Sequence, residues 1–136
     1  MASTFRLEIV TPEGTAYSED VELVTLPGSE GQLGVLAHHV DLMTRLVPGE
    51  MLVRKSGHDE FLAVGAGLVE ITGSRVSIAT DMAIGAASID EAKAEEARQR
   101  AAARLHEKLS SEEVASVNAA LARSLAQLRV KRHRRS

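Results

Sequence analysis

Cysteine and tryptophan are absent from the 136 residues, and the aromatic side chains are limited to Phe5, Tyr17 and Phe61. Without cysteine there can be no disulfide framework, thiolate zinc site or cysteine nucleophile, and a reducing, cytosolic setting is the natural expectation. With so few aromatics there is no stacking platform for nucleic-acid bases, and aliphatic and alanine side chains must do the packing. No stretch approaches the roughly 18 uninterrupted apolar residues that a membrane-spanning helix needs. The start, Met1-Ala2-Ser3-Thr4-Phe5-Arg6, lacks the basic-then-apolar order of a secretory leader. Membrane association is therefore expected only through partners.

Glycine and proline are plentiful up to Gly85 and missing from there to Ser136. Charge divides at the same place. Residues 1–85 carry 5 basic and 12 acidic side chains, a balance of −7, and residues 86–136 carry 11 and 7, a balance of +4. Such a split predicts that the back half meets an acidic surface or folds against its own acidic front. The length allows one full core and an extension, which gives two parts, 1–85 and 86–136.

The front part has a period of two. Phe5, Leu7 and Ile9 alternate with Arg6 and Glu8, Val69 and Ile71 with Glu70 and Thr72, and Val76 and Ile78 with Arg75 and Ser77. Each run puts one face in a core and the other in water. Thr11-Pro12-Glu13-Gly14, Pro27-Gly28 and Pro48-Gly49 read as turns, and Ser56-Gly57 and Gly73-Ser74 as hairpin tips. Strands are expected near 4–10, 20–26, 32–36, 42–47, 50–55, 60–64, 67–72 and 75–80. The fold class is a mainly β, N-terminal sandwich or barrel of antiparallel strands followed by a segregated C-terminal helical hairpin.

In the back part Ser88-Ile89-Asp90-Glu91 and Ser110-Ser111-Glu112-Glu113 both fit a capping box, which predicts helices over about 89–109 and 112–130. Acidic residues gather early and basic ones late in each, as the helix dipole favours. The apolar stripes are Ala94, Ala97, Ala101, Leu105 and Leu109, then Val114, Val117, Leu121, Leu125 and Leu128. An alanine buries one methyl where a leucine contributes roughly 1.5–3 kcal/mol, so docking of the hairpin should be marginal. Both segments are rich in strong helix formers and need not melt on leaving the sandwich. A hairpin that detaches while staying helical suits a conformational switch.

Groupings that could carry chemistry resolve into structural roles. The glycines of Gly28-Ser29-Glu30-Gly31-Gln32-Leu33-Gly34 lack the dinucleotide spacing, and no Gly-Lys-Ser/Thr follows, so they mark a bend whose exposed Glu30 and Gln32 suit a protein contact. His38, His39 and Asp41 lack a third placeable ligand, and neighbours on an extended segment face opposite ways. No nucleophile elbow accompanies His58, His106 or His133. No catalytic or metal residue is assigned. The terminal Arg129-Val130-Lys131-Arg132-His133-Arg134-Arg135 reads as a solubilising end, with anionic lipid or nucleic acid as the alternative.

The stretch from Gly28 through Gly34-Val35-Leu36, with His39, Leu42, Thr44 and Pro48-Gly49 after it, resembles the epsilon subunits of F-type ATP synthases. Gly65-Ala66-Gly67-Leu68-Val69-Glu70-Ile71, Val76-Ser77-Ile78-Ala79-Thr80-Asp81-Met82-Ala83 and Ile89-Asp90-Glu91-Ala92-Lys93-Ala94 extend the likeness over nearly the whole chain in one order. The resemblance implies a non-catalytic central-stalk subunit, peripheral on the cytoplasmic face of the membrane. Its sandwich would bind gamma and the c-ring through Glu30, Gln32 and His39 and pass ion-driven rotation to the shaft. Gln32 stands where the family has an acidic ring contact. The hairpin is implied to fold on the sandwich or to extend toward alpha/beta and block hydrolysis, with Arg98 and Arg123 meeting the beta subunit. No cofactor is required, but regulatory ATP, bound weakly, is implied at Ile89, Asp90, Lys93 and Ala94, where Lys93 replaces the motif's arginine and lacks its planar fork. Two other readings are a free-standing adaptor whose basic helical tail binds nucleic acid or an acidic protein, and a small hydrolase that depends on His39.

Overall fold

The computed structural model describes residues 3–134, so Arg135 of the basic end and the first two residues of the leader reading lie outside the described residues. Ten strands come first: β1 Phe5–Thr11, β2 Gly14–Val21, β3 Leu23–Gly28, β4 Gly31–Leu36, β5 Leu42–Leu46, β6 Gly49–Lys55, β7 His58–Val64, β8 Gly67–Thr72, β9 Arg75–Thr80 and β10 Ala83–Gly85. A 3₁₀ turn at Ala86–Ser88 leads to α1, Glu91–Arg104, and α2, Ser111–His133.

The strands form two layers, β10-β7-β6-β3-β4 and β5-β8-β9-β1-β2, which touch edge to edge at Gly28 and Leu46. Inward-facing Val24, Leu26, Val35, Met51, Val53, Leu62 and Val64 meet Leu7, Ile9, Leu46, Val69, Ile71, Val76 and Ile78, all essentially sealed from water. At roughly 1.5–3 kcal/mol for each such side chain, this one cluster dominates the stability of the front part. None of its members, nor any of the partly buried side chains packed on it, comes after Ala83, so the sandwich has a complete core of its own.

Close approach of the chain explains two glycines. A methyl on Gly67 would run into the carbonyl oxygen of Ala79 on β9, and one on Gly65 into the carboxylate of Asp81. The Ser56-Gly57 tip has positive φ at both residues, 52° and 77°, as a tight two-residue hairpin turn requires.

Several expectations need correction. β2 lies largely outside the expected strands, and β10 wholly so. In β2 only Tyr17 and Val21 are buried, and Ala16 is skipped where the register slips beside Ile9 and Val10, so the alternation is broken. Pro27-Gly28 ends β3 and pairs with Gln32 and Gly31, and the turn beyond it is Ser29-Glu30. β1 runs parallel to β9, so the strands are not all antiparallel.

In the helical part the capping box at Ser110 and Glu113 is present, while Ser88 sits in the 3₁₀ turn and caps nothing. Ile89 stays extended because its side chain is buried beneath α2, and Asp90 caps α1 by accepting from the Lys93 N–H at 3.1 Å. α1 ends at Arg104, not 109. Its last turn tightens, with the His106 and Glu107 N–H groups bonding Ala103 and Arg104, because Ser110 must be extended to start α2.

The single stripe expected on α2 is in fact two faces. Val117, Ser124 and Leu128 share the side toward α1, and Ala126 and Val130 lie on the opposite side, packed against the sandwich with Ala63, Met82 and Ile89. Val114 and Leu125 are exposed, and on α1 the buried stripe stops at Ala101, leaving Leu105 in solvent. α2 is therefore the middle layer, and its own small face, not the α1 alanines, sets how firmly the hairpin docks.

Candidate functional site

Glu30 and Gln32 share the tip of the β3–β4 hairpin, both exposed, on a turn that Gly31 closes with φ of 116°. Beside this tip a cleft of about 500 Å3 runs between Pro27, Gly28, Gly31 and Gln32 on one side, Val47–Glu50 on another, and Arg129 and His133 of α2. His39 is elsewhere. It lies past the other end of β4, half-buried, with Nδ1 2.7 Å from the Val40 carbonyl, and the adjoining His38 N–H bonds Gly73 at the β8–β9 tip. About 15 Å of extended strand separates it from Gln32. The fold thus joins Glu30 to Gln32 and gives His39 a surface of its own.

Around and beyond His39 the chain exposes apolar side chains. Leu36, Val40 and Leu42 are open to solvent, and on the outer face of the β5-β8-β9-β1 layer so are Met43, 66 % exposed, Leu68, 55 %, and Val10. Register brings these together. Leu68 is paired with Ala79, which is paired with Val10, while Met43 sits in the adjoining row opposite Glu70. A shallow hollow of about 220 Å3 opens among them. Contiguous exposed apolar area of this kind is a candidate contact surface. The sequence signal that could have found it is adjacency, because Leu42-Met43, Leu68-Val69 and Ile9-Val10 put two apolar residues side by side in a strand, and one of each pair must face outward.

The four residues implied for ATP are held in structural roles. Ile89 and Ala94 are buried, Asp90 caps α1, and Lys93 points into solvent. A cleft of about 540 Å3 nearby is lined by Asp59, Glu60, Phe61, the Gly85–Ser88 turn, Lys131 and Arg134, and by none of the four.

Arg98 and Arg123 are both engaged. Arg98 forks onto Glu95 within α1 at 2.7 and 3.0 Å, and Arg123 reaches Asp81 of the sandwich at 3.2 Å. Arg123 becomes free only if α2 leaves the sandwich, whereas Arg98 carries its partner with it. Much of the basic end is likewise used internally: Lys131 donates to the Ala86 carbonyl, Arg132 bridges Glu91 and Glu95, and Arg134 bridges Glu50. The positive back half is thus folded against the chain's own acidic groups, which weakens the nucleic-acid reading.

Glu95 is the hub of the hairpin's ion pairs. Its hydrogen bond from Arg98, helped by Gln99 and Arg132, holds its carboxyl down from 4.5 to about 2. A carboxyl depressed in the fold stabilises it fully above its unfolded value and loses that stabilisation as pH falls through the folded value. Hairpin stability of the native chain should therefore exceed that of Glu95→Gln at pH 6, and the difference should fade between pH 4.5 and about 2. Thermal unfolding followed by helical circular dichroism measures this, and a pH-independent difference would refute it.

Comparison with known proteins agrees with this layout. Residues 4–86 match the profile of the ATP synthase delta/epsilon chain β-sandwich domain, and residues 88–132 that of the delta/epsilon long α-helix domain. The chain is 41 % identical over 130 residues to the ATP synthase epsilon chain of Herminiimonas arsenicoxydans, covering 94 % of itself and 93 % of that protein. It is 40 % identical, at the same coverage, to the ATP synthase epsilon chain of Janthinobacterium sp. (strain Marseille). Among solved structures, a chain of the Euglena gracilis mitochondrial ATP synthase OSCP/F1/c-ring assembly shares the fold with a TM-score of 0.78 at 23 % identity, covering 98 % of this chain and 84 % of that one. A chain of the Tetrahymena thermophila mitochondrial central stalk/c-ring assembly does so with a TM-score of 0.62 at 12 % identity, covering 99 % and 98 %. With both domain profiles matched in order and two-fifths of residues identical across almost its full length, the chain belongs to the delta/epsilon chain family of ATP synthases.

Proposed function

We propose that the sandwich couples c-ring rotation to the shaft and that the helical hairpin restrains ATP hydrolysis by leaving it. The chain is a non-catalytic subunit of ATP synthase. The observation that carries the proposal is the unequal construction of the two parts: a sandwich with a sealed core of its own, and a hairpin docked through Ala126, Val130 and a few partly exposed polar contacts.

The outer apolar row of Val10, Ala79 and Leu68, with Met43 in the adjoining row, is the surface for gamma, and His39 and Val40, near the β8–β9 tip at the other end of β8, extend it. The Glu30-Gln32 tip is the surface for the polar loops of the c-ring. Gln32 can hydrogen-bond there but brings no charge, so the contact lacks the extra strength of a charge-assisted bond. In the extended state Arg123, released from Asp81, and Arg98 face the alpha/beta subunits. The position is peripheral, on the cytoplasmic face of the membrane, reached through the complex; none of the described helices is long and apolar enough to cross a bilayer.

The experiment is reconstitution. Membranes stripped of this subunit should recover ion-driven ATP synthesis when the chain is added back, and recovery without it would sink the coupling role. For ATP we propose weak regulatory binding at Ile89, Asp90, Lys93 and Ala94, with Lys93 supplying charge without a fork. Titration of the full chain should show saturation only toward millimolar ATP. No saturable response in that range would leave Asp90 as a helix cap alone.

A further inference from the structure

Among the described residues, the C-terminal turn of α2 grips the sandwich in a way that no other part of the hairpin does. Arg134 places Nε 3.0 Å and a terminal nitrogen 2.8 Å from the two oxygens of Glu50 on β6, and its guanidinium carbon lies 3.8 Å above the ring of Phe61 on β7. Register explains why one side chain can use both. Glu50 is opposite Ala63, and Leu52 opposite Phe61, so Glu50 and Phe61 emerge on the same outer face of β6-β7, the face α2 covers. The planar fork of arginine satisfies both carboxylate oxygens while its face rests on the ring; a lysine ammonium, with no planar fork, cannot do both at once.

The rest of the docking surface is thin. Its buried apolar share on α2 is Ala126 and Val130, and the polar contacts of α2 with the front part and the turn after it include, among the described residues, single bonds from Arg123 to Asp81 at 3.2 Å, from Gln127 to the Met82 sulfur at 3.1 Å and from Lys131 to the Ala86 carbonyl at 3.1 Å. Arg134 also sits at the end of the helix, where hydrogen bonds fray first, and it borders the same cleft as the Gly85–Ser88 turn that joins the hairpin to the sandwich.

Resting on the proposed switch but going beyond it, we propose that Arg134, Glu50 and Phe61 form the latch that sets how much of the time the hairpin stays docked. The latch is specific to the arginine fork, and charge alone does not supply it. Because the pair is partly open to solvent, salt weakens it.

The absence of cysteine makes the test simple, since two introduced cysteines are the only labelling sites. Glu13→Cys in the β1–β2 turn and Leu125→Cys on the exposed side of α2 report the docked and undocked populations of the full chain by spin-label distances. Arg134→Gln should lower the docked-to-undocked ratio about tenfold, and Arg134→Lys severalfold although it keeps the charge. Arg129→Gln, in the same region but with no ion pair among the described residues, should change it little. Exchanging the partners, Glu50→Arg with Arg134→Glu, should recover part of the loss, and salt should open the native chain more than Arg134→Gln.

An unchanged distance distribution in Arg134→Gln, or equal effects of Arg134→Gln and Arg129→Gln, overturns the latch. The two levels separate cleanly. If Arg134→Gln leaves the hairpin docked while deletion of residues 86–136 raises hydrolysis, the latch falls and the inhibitory hairpin stands. If Arg134→Gln opens the hairpin without affecting hydrolysis, the latch stands and the inhibitory role falls.

Discussion

Removal of residues 86–136 should raise ATP hydrolysis by the assembled enzyme about fivefold or more while assembly and ATP synthesis stay near the level of the full chain. The sandwich survives the cut because its core draws nothing from the helices, as no member of the main cluster comes after Ile78. What the deletion uncovers is the small patch of Phe61, Ala63, Met82 and Ile84, a modest area for a folded domain to expose. Both partner surfaces proposed for the sandwich, the Glu30-Gln32 tip and the Val10-Met43-Leu68 patch, remain in place. On the proposed reading the hairpin is a removable brake, and steady-state hydrolysis by the two forms measures it. Equal rates would mean that the extended state does not inhibit.

The second large effect is expected on the outer face of the sandwich. Met43→Glu with Leu68→Glu should cut capture of gamma by a tagged chain on the order of 100-fold, because burying two unpaired carboxylates in an apolar contact costs several kcal/mol. Neither side chain supports the fold. Each is more than half exposed and points away from the core, so the isolated variant should unfold at the temperature of the native chain. Retained capture by a folded variant would move the gamma surface elsewhere, whereas Gln32→Ala should alter the ring contact and leave gamma capture intact.

The parts of this fold that could be read from sequence are those whose signals are local. Strict alternation marked β1, β8 and β9, and glycines marked the β3–β4 tip that presents Glu30 and Gln32. Serine and glutamate three apart marked the start of α2. What was hidden depends on distant residues. The bulge beside Tyr17 disguised β2, and nothing near Phe5 announces a parallel partner as remote as β9. Ser88 looked like a cap until Ile89, drawn beneath α2, left the role to Asp90. The two-faced burial of α2 merged in the sequence into one imperfect stripe, with polar Ser124 buried among its members because its hydroxyl bonds the Ala120 carbonyl. At the functional surfaces, spacing along the chain could not reveal that Gln32 and His39 stand at opposite ends of one strand, or that Arg134 reaches Glu50.

The central claim, that this chain is a rotor subunit bound through its sandwich, is tested most directly by capture. A tagged chain added to or expressed in cells of its own kind should bring down gamma and the c-ring from detergent-solubilised membranes, and should still do so without residues 86–136. Recovery of nucleic acid, with neither gamma nor the c-ring, would contradict it.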